Sequence, residues 1–335
     1  MNFRAPAYPN HRVIHLAAAA MLAAYAFPAF AQTAGPSAGT SNPPADPKAI
    51  PAKTAPPPSD SKPAPLPLHQ YGGSGGIVTT LSAYIVNPPR DGEPVGRPSV
   101  GMSYLYLGHN MNLEAATITE SPYKRIELGY GWDRLGLGDL PSAVGAPIHE
   151  VQLHNANARF QLIEENEFNQ KWLPAITFGV HYKYNDGITT LNKDLGGAIS
   201  NVAGVTKDNG TDFTLYASKL ITQLPVPVLV EAGGRETQAV WDGFGGFTNR
   251  YNLEFEGNIA VFLAPNLILA GEYKQQPRDY SPIGSVYSKE DDWYTVDAAY
   301  IVNKNWTVAL AYGHFGNVLN HQSNAVWGIT TKWEF

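Results

Sequence analysis

The chain has 335 residues, no cysteine, 32 glycines, 27 prolines and a formal net charge of -6. Only 16% of its residues are charged and 11% are aromatic, whereas soluble domains average about a quarter charged. This balance excludes a basic nucleic-acid binder, and the lack of cysteine excludes a disulfide framework, a thiolate metal site and a lipidated cysteine.

At the N-terminus, Arg4 and Arg12 flank an apolar run from Val13 to Phe27, followed by Ala29-Phe30-Ala31. A charged region, an apolar stretch too short to cross a bilayer and a small-residue cleavage site, in that order, predict an export signal over 1–31 cleaved near Ala31. Residues 32–70 are rich in Pro, Ala, Ser and Thr, as in Pro56-Pro57-Pro58. Such a stretch buries too little apolar surface to fold, so a disordered, extended spacer is expected, reaching on the order of 100 Å. A docking site for a periplasmic partner is the other reading of 32–70. Residues 71–98 form a glycine-rich lead segment, beginning Tyr71-Gly72-Gly73-Ser74-Gly75-Gly76. It is expected to lie in the periplasm or to enter a lumen formed by the rest of the chain.

From Ser99 onward the pattern has period two. In Tyr251–Leu263 the residues Tyr251, Leu253, Phe255, Ile259, Val261 and Leu263 share one face, and Asn252, Glu254, Glu256 and Asn258 share the other. Ala264-Pro265-Asn266 breaks the run as a turn, and Leu267–Lys274 resumes it. Similar runs are Ser99–Leu107, Asn112–Thr119, Ile126–Asp133, Val151–Leu162, Ile176–Tyr184, Thr211–Leu220, Val226–Gln238, Trp293–Val302, Trp306–Phe315 and Ala325–Phe335. The fold expected is all-β, an antiparallel transmembrane barrel over 99–335 of about twelve strands, with fourteen as the alternative. Strands of about ten residues suit a membrane better than a soluble sheet, where roughly 5–6 is usual.

Connections near Glu120–Tyr123, Thr222–Pro225, Ala264–Asn266 and Asn303–Asn305 are short, while Leu135–Ile148, Asn185–Asn209, Val240–Arg250 and Pro277–Asp292 are long. Short periplasmic turns and long external loops are the rule for bacterial barrels. The aromatic girdle candidates are Trp132, Tyr182, Tyr251, Tyr273, Trp306, Tyr312, Trp327, Trp333 and Phe335. A final alternating strand that stops on Phe335 resembles the signal read by the barrel-assembly machinery.

Several segments resemble, in order and spacing, an uncharacterised family of proteobacterial proteins catalogued as a domain of unknown function and regarded as outer-membrane barrels. They are Gln170–Pro174 running into Ile176–Lys183, Asp208–Leu220, Phe244-Gly245-Gly246, Phe255-Glu256-Gly257, Gly271–Pro277, Glu290–Trp293 and Ala311–Asn317. The resemblance covers most of Arg125–Phe335, leaves out the Pro-rich stretch, and implies a barrel with no activity attached.

The inward positions carry the chemistry. Lumen-lining candidates are Glu127, Arg159, His181, Lys183, Glu231, Arg235, Glu254, Glu256, Glu272, Lys274, Asp297 and Lys332, with Asp133, Asp212 and Glu334 on the same face. Both signs occur with carboxylates ahead, which suits a narrow, acid-leaning path for small polar solutes, or a lumen closed by its own ion pairs. A non-transporting anchor that holds a periplasmic partner through 32–70 is the alternative. A lipid hydrolase is the third, should Ser218 and His181 meet, but no enzyme is expected.

Gly72–Gly76 has the letters of a nucleophile elbow without the strand and helix that motif needs. Glu290-Asp291-Asp292 lacks a calcium-loop ladder and reads as a solvated acidic loop. The histidines have no ligand spacing, so no metal or cofactor is expected. The partners anticipated are outer-membrane lipid and a small polar solute, with no nucleic acid.

Overall fold

The computed structural model describes residues 75, 77–277, 280–284 and 286–335. The export signal, the Pro-rich spacer and the start of the glycine-rich joint lie outside the described residues. Twelve strands close into an antiparallel ring. They are β1 (Ser99–Gly108), β2 (Met111–Tyr123), β3 (Ile126–Leu137), β4 (Glu150–Ile163), β5 (Ala175–Asp186), β6 (Asn209–Ile221), β7 (Val228–Ala239), β8 (Phe247–Ala264), β9 (Leu267–Lys274), β10 (Trp293–Asn303), β11 (Trp306–His314) and β14 (Val326–Glu334). The remaining strands, β12 (Asn317–Val318) and β13 (His321–Gln322), make a separate small hairpin before β14. The ring therefore has twelve strands, and fourteen is excluded.

Each strand pairs with its sequence neighbour, and β1 closes the ring on β14 from Ser99↔Glu334 to Tyr106↔Trp327. No strand of the ring is left as an edge. Both ends of the ring's chain lie at one end of the barrel, here the terminal end; the long connections cluster at the loop end.

Three local features depart from the expected boundaries. The turn expected at Glu120–Tyr123 falls inside β2, where a bulge shifts the register with β3, and the chain reverses at Lys124-Arg125. The loop expected to run to Arg250 stops at Gly246, because Phe247 already pairs with Ala239. At the loop end, β1 and β2 are joined only by His109-Asn110, both left-handed (φ 50° and 58°), the backbone of a tight two-residue hairpin turn.

Alternation decides the faces. Outward side chains such as Met102, Leu253, Phe255, Ile259, Val296 and Leu310 are exposed and apolar, while Glu254, Glu256 and Asp297 of the same strands are buried. All nine girdle candidates lie on the outer face. Trp306, Trp333 and Phe335 sit near the terminal end, with Trp306 and Trp333 paired in register. Trp132, Tyr182, Tyr251, Tyr273, Tyr312 and Trp327 lie towards the loop end, where Tyr312 and Trp327 place their rings 4.7 Å apart. This gives two aromatic zones with an aliphatic band between them.

The interior is not polar throughout, as its sequence pattern led us to expect. Near the loop end, β1–β4 turn Leu105, Leu107, Met111, Leu113, Leu135, Leu137, Val151 and Leu153 inward. They pack against loop residues that dip into the barrel, among them Leu140, Ile188, Val240, Trp241 and Phe244. A sheet that is apolar on both faces needs such a cover, and the loops supply it.

If lipid is the solvent of the outer face, Leu310→Lys in the middle of β11 should destabilise the barrel by about 2–4 kcal/mol in lipid vesicles. Urea titrations of vesicle-inserted protein measure this, and a change near zero would mean that the face is not in hydrocarbon.

Candidate functional site

The inward candidates are all on the inner wall, and every one is buried. They fall into two zones, each closed by a different part of the chain.

In the terminal half, the wall grips the lead segment. Glu272 of β9 accepts the backbone N–H of Ile77 (2.5 Å), Val78 (3.1 Å to the nearer oxygen) and Thr79 (2.6 Å), and the hydroxyls of Thr79 (2.8 Å) and Thr80 (3.0 Å). Successive N–H groups folded around one anion form a nest, stronger than neutral pairs because the acceptor is charged. The turn that shapes this nest is marked by a bridge between Gly75 and Leu81. Further along, Ser218 accepts the N–H of Ala83 at 2.7 Å and donates to Glu231 at 2.9 Å. Glu231 also accepts from Asn258, which donates to Thr80 as well.

Arg159 forms a buried ion pair with Glu127 at 2.7 Å and donates to the carbonyl of Ser82. Glu127 in turn accepts the N–H of Val86 at 2.6 Å, and Thr177 donates to the carbonyl of Ala83. The lead segment from Ile77 to Val86 therefore lies inside the barrel, and each wall group named here reaches it with a side chain. Asp297 shares the hydroxyl of Thr295 with Glu272, and Lys332 pairs with Glu334 at 2.8 Å.

The middle and loop half hold a second network. Asp212 binds Lys183 at 2.7 Å and Arg235 at 3.2 Å, and Glu256 binds Arg235 at 2.8 Å. Tyr216 donates to Glu256 at 2.7 Å. Its ring lies across Gly233 of the neighbouring strand, where a Cβ would collide with it, so glycine is required there. Lys274 reaches Glu256 at 3.9 Å and is capped by Asp242 at 2.5 Å. Asp242 belongs to the β7–β8 loop, and its carbonyl also accepts from Lys183 at 2.9 Å. His181 faces Thr214 at 3.4 Å, while Glu254 and Asp133 are buried without an ion pair among the described residues.

Above this network the loops make a lid. Trp241 packs against Tyr287 with ring centroids 4.4 Å apart, and Tyr280 meets both rings edge-on. Trp293 stacks on Phe315 at 4.3 Å and lies beneath the Lys274 ammonium, 5.4 Å away. Glu290 was expected in a solvated loop; it is buried instead, because its carboxylate accepts the N–H of Trp241 at 2.5 Å. Asp291 binds Asn317, and Asp292 binds Tyr273 and Gln276.

Ser218 and His181 do not assemble a dyad. Ser218 pairs across the sheet with Ala175, and His181 with Asp212, which puts them six strand positions apart, roughly 20 Å. Most of the Gly72–Gly76 letters lie outside the described residues.

A family model described as protein of unknown function (DUF3034) matches residues 74–331. The chain belongs to this family. The match takes in the lumen segment as well as the barrel, a longer stretch than the resemblance over Arg125–Phe335. No curated protein matches the chain. Among solved structures it is similar to the KdgM porin in complex with disordered oligogalacturonate (TM-score 0.43, 12% identity, 71% of this chain and 99% of that one). It is similar to the Acinetobacter baumannii outer membrane protein Omp33 (TM-score 0.43, 9% identity, 72% and 99%). The COG4313 outer membrane channel from Pseudomonas putida F1 is a third (TM-score 0.39, 11% identity, 72% and 96%).

Replacing Glu272 with Ala strips the acceptor from three buried N–H groups, each worth about 1–3 kcal/mol when left unmade. Hydrogen exchange at Ile77, Val78 and Thr79 should then accelerate by tenfold or more while the barrel strands stay protected. Unchanged protection would mean that Glu272 does not hold the segment.

The lid should respond to pH in two directions. Burial, with Glu254 and Asp242 nearby, pushes the Glu290 carboxyl well above its ordinary value. Its contribution is present in acid and is lost as pH rises through that raised value. Burial also pushes Asp242 up, but Lys274, Lys183 and Arg235 outweigh it and hold the group below the usual range. Its contribution is present above the ordinary carboxylate range and lost only in strong acid. Near-ultraviolet circular dichroism of the lid aromatics should therefore weaken on the alkaline side, and Glu290→Gln should flatten that limb.

Proposed function

We propose that the protein is a bacterial outer-membrane barrel whose charged lumen is a gated path for small polar solutes, shut here from both ends. The outer face, with two aromatic zones around an aliphatic band, supports lipid as its solvent. The observation that carries the gate is the mode of attachment of Ile77–Val86. Glu272, Ser218, Glu127 and Arg159 hold this segment by side chains, so its departure breaks no bond of the barrel's own ladders and uncovers a wall already lined with charge.

A barrel serving only as an anchor has no need of such a wall. Buried ion pairs contribute little net stability, and an apolar filling of equal volume often does better. The Pro-rich stretch 32–70 precedes the lumen segment in the chain, so a periplasmic partner that held it would act directly on the closure.

Planar-bilayer recording of the full chain should give a mostly silent membrane, and removal of Ile77–Val86 should give discrete single-channel currents. Heat-modifiable migration of both proteins would establish that each barrel is folded. A folded, silent deletion variant would sink the gated path and leave the closed anchor, which pull-down with 32–70 would then examine.

A further inference from the structure

At the loop end, a cluster of three cations on the inner wall is capped by a carboxylate that a loop delivers. Lys183 and Arg235 share Asp212, and Arg235 and Lys274 share Glu256. Two of the carboxylates that pair with these cations, Asp212 and Glu256, belong to the wall, while a further one, Asp242, comes from a loop. Asp133, Glu254 and Glu290 also face this space. At the Asp242 position itself the charges of Lys274, Lys183 and Arg235 outweigh burial, and Lys274 reaches its carboxylate directly.

The loop is bent to deliver that group. Trp241 and Asp242 are both left-handed (φ 46° and 57°), and Gly243 follows at φ 113°. This backbone is unfavourable for residues that carry a Cβ and survives only where the surroundings enforce it. Here Asn185 of β5 enforces it by donating to the carbonyls of Gly243 (2.7 Å) and Phe244 (2.9 Å), and Tyr287 donates to that of Gly245 (2.7 Å). A strained loop that sets its carboxylate on Lys274 and its carbonyl on Lys183 has the form of a tethered ligand.

We propose that Lys183, Arg235 and Lys274 form a binding site for a small carboxylate solute, and that Asp242 occupies it as an internal stand-in. The assignment rests on the gated-lumen reading and gives it a solute class. A free carboxylate that takes the place of Asp242 releases the Val240–Gly246 loop, and with it Trp241, which anchors the aromatic lid.

The test is calorimetric titration of succinate, at fixed ionic strength, into the full chain in detergent micelles, with succinamide as the uncharged control. Asp242→Asn should bind succinate at least tenfold more tightly than the parent, because no internal carboxylate competes. Adding Lys274→Gln should remove that gain, and succinamide should not bind. Equal succinate binding by Asp242→Asn and the parent, no binding by either, or equal binding of succinamide would overturn the site. Should Asp242→Asn fail to fold, hydrogen exchange of the unmodified chain decides. Succinate should speed exchange across Val240–Gly246, and unchanged rates at saturating succinate would overturn the proposal. Succinate binding in a barrel that stays silent without Ile77–Val86 would keep the site and remove the passage. Currents without succinate binding would remove the site and keep the passage.

Discussion

A sheet with an oily outer face can exist in hydrocarbon only if no strand edge is left open, because an unpaired backbone group there costs several kcal/mol. Here the pairing of β1 with β14 meets that requirement. Closure also separates two environments. Outside, Leu253, Phe255, Ile259 and Leu310 can be exposed without forming a core; inside, every polar side chain must find its partner within the barrel. The rest of the structure follows from that second demand.

Inside the ring, removal from water makes each charge expensive unless it is paired or hydrogen-bonded. Wall-to-wall pairs such as Lys183–Asp212 and Arg235–Glu256 meet part of this demand. Another part is met by chain that is not part of the wall. Backbone N–H groups of the lead segment surround Glu272, and a loop carboxylate caps Lys274. Each closure brings a complementary group: N–H donors to the carboxylate of Glu272, and a carboxylate to the ammonium of Lys274. A segment held in this way is fixed in register by wall side chains and takes no place in the strand ladders.

The lid adds a different kind of closure. Trp241, Tyr287, Tyr280 and the leucines of β1–β4 form an apolar core within the mouth of a barrel. That core restrains the Asp242 loop, so apolar packing and the ion pair reinforce each other at one place. Glu290 joins them by accepting the N–H of Trp241.

Period-two alternation was enough to place about twelve strands with fourteen left open, to separate Glu254 and Glu256 from Leu253 and Phe255, and to put the girdle aromatics on the outer face, because side-chain direction in a strand is local. The bulge in β2 was not legible: one extra residue in a ladder leaves no mark on composition. Nor were the two closures. Ile77 and Glu272 lie 195 positions apart, and nothing in either neighbourhood signals the other. Val240–Arg250 was legible as a long connection, but not as one that would carry a carboxylate to Lys274. The sequence by itself determined which face each strand residue takes, since that depends on parity along the backbone. Only the tertiary structure decided which segments enter the lumen, since that depends on which distant groups are driven together once water is excluded from the ring.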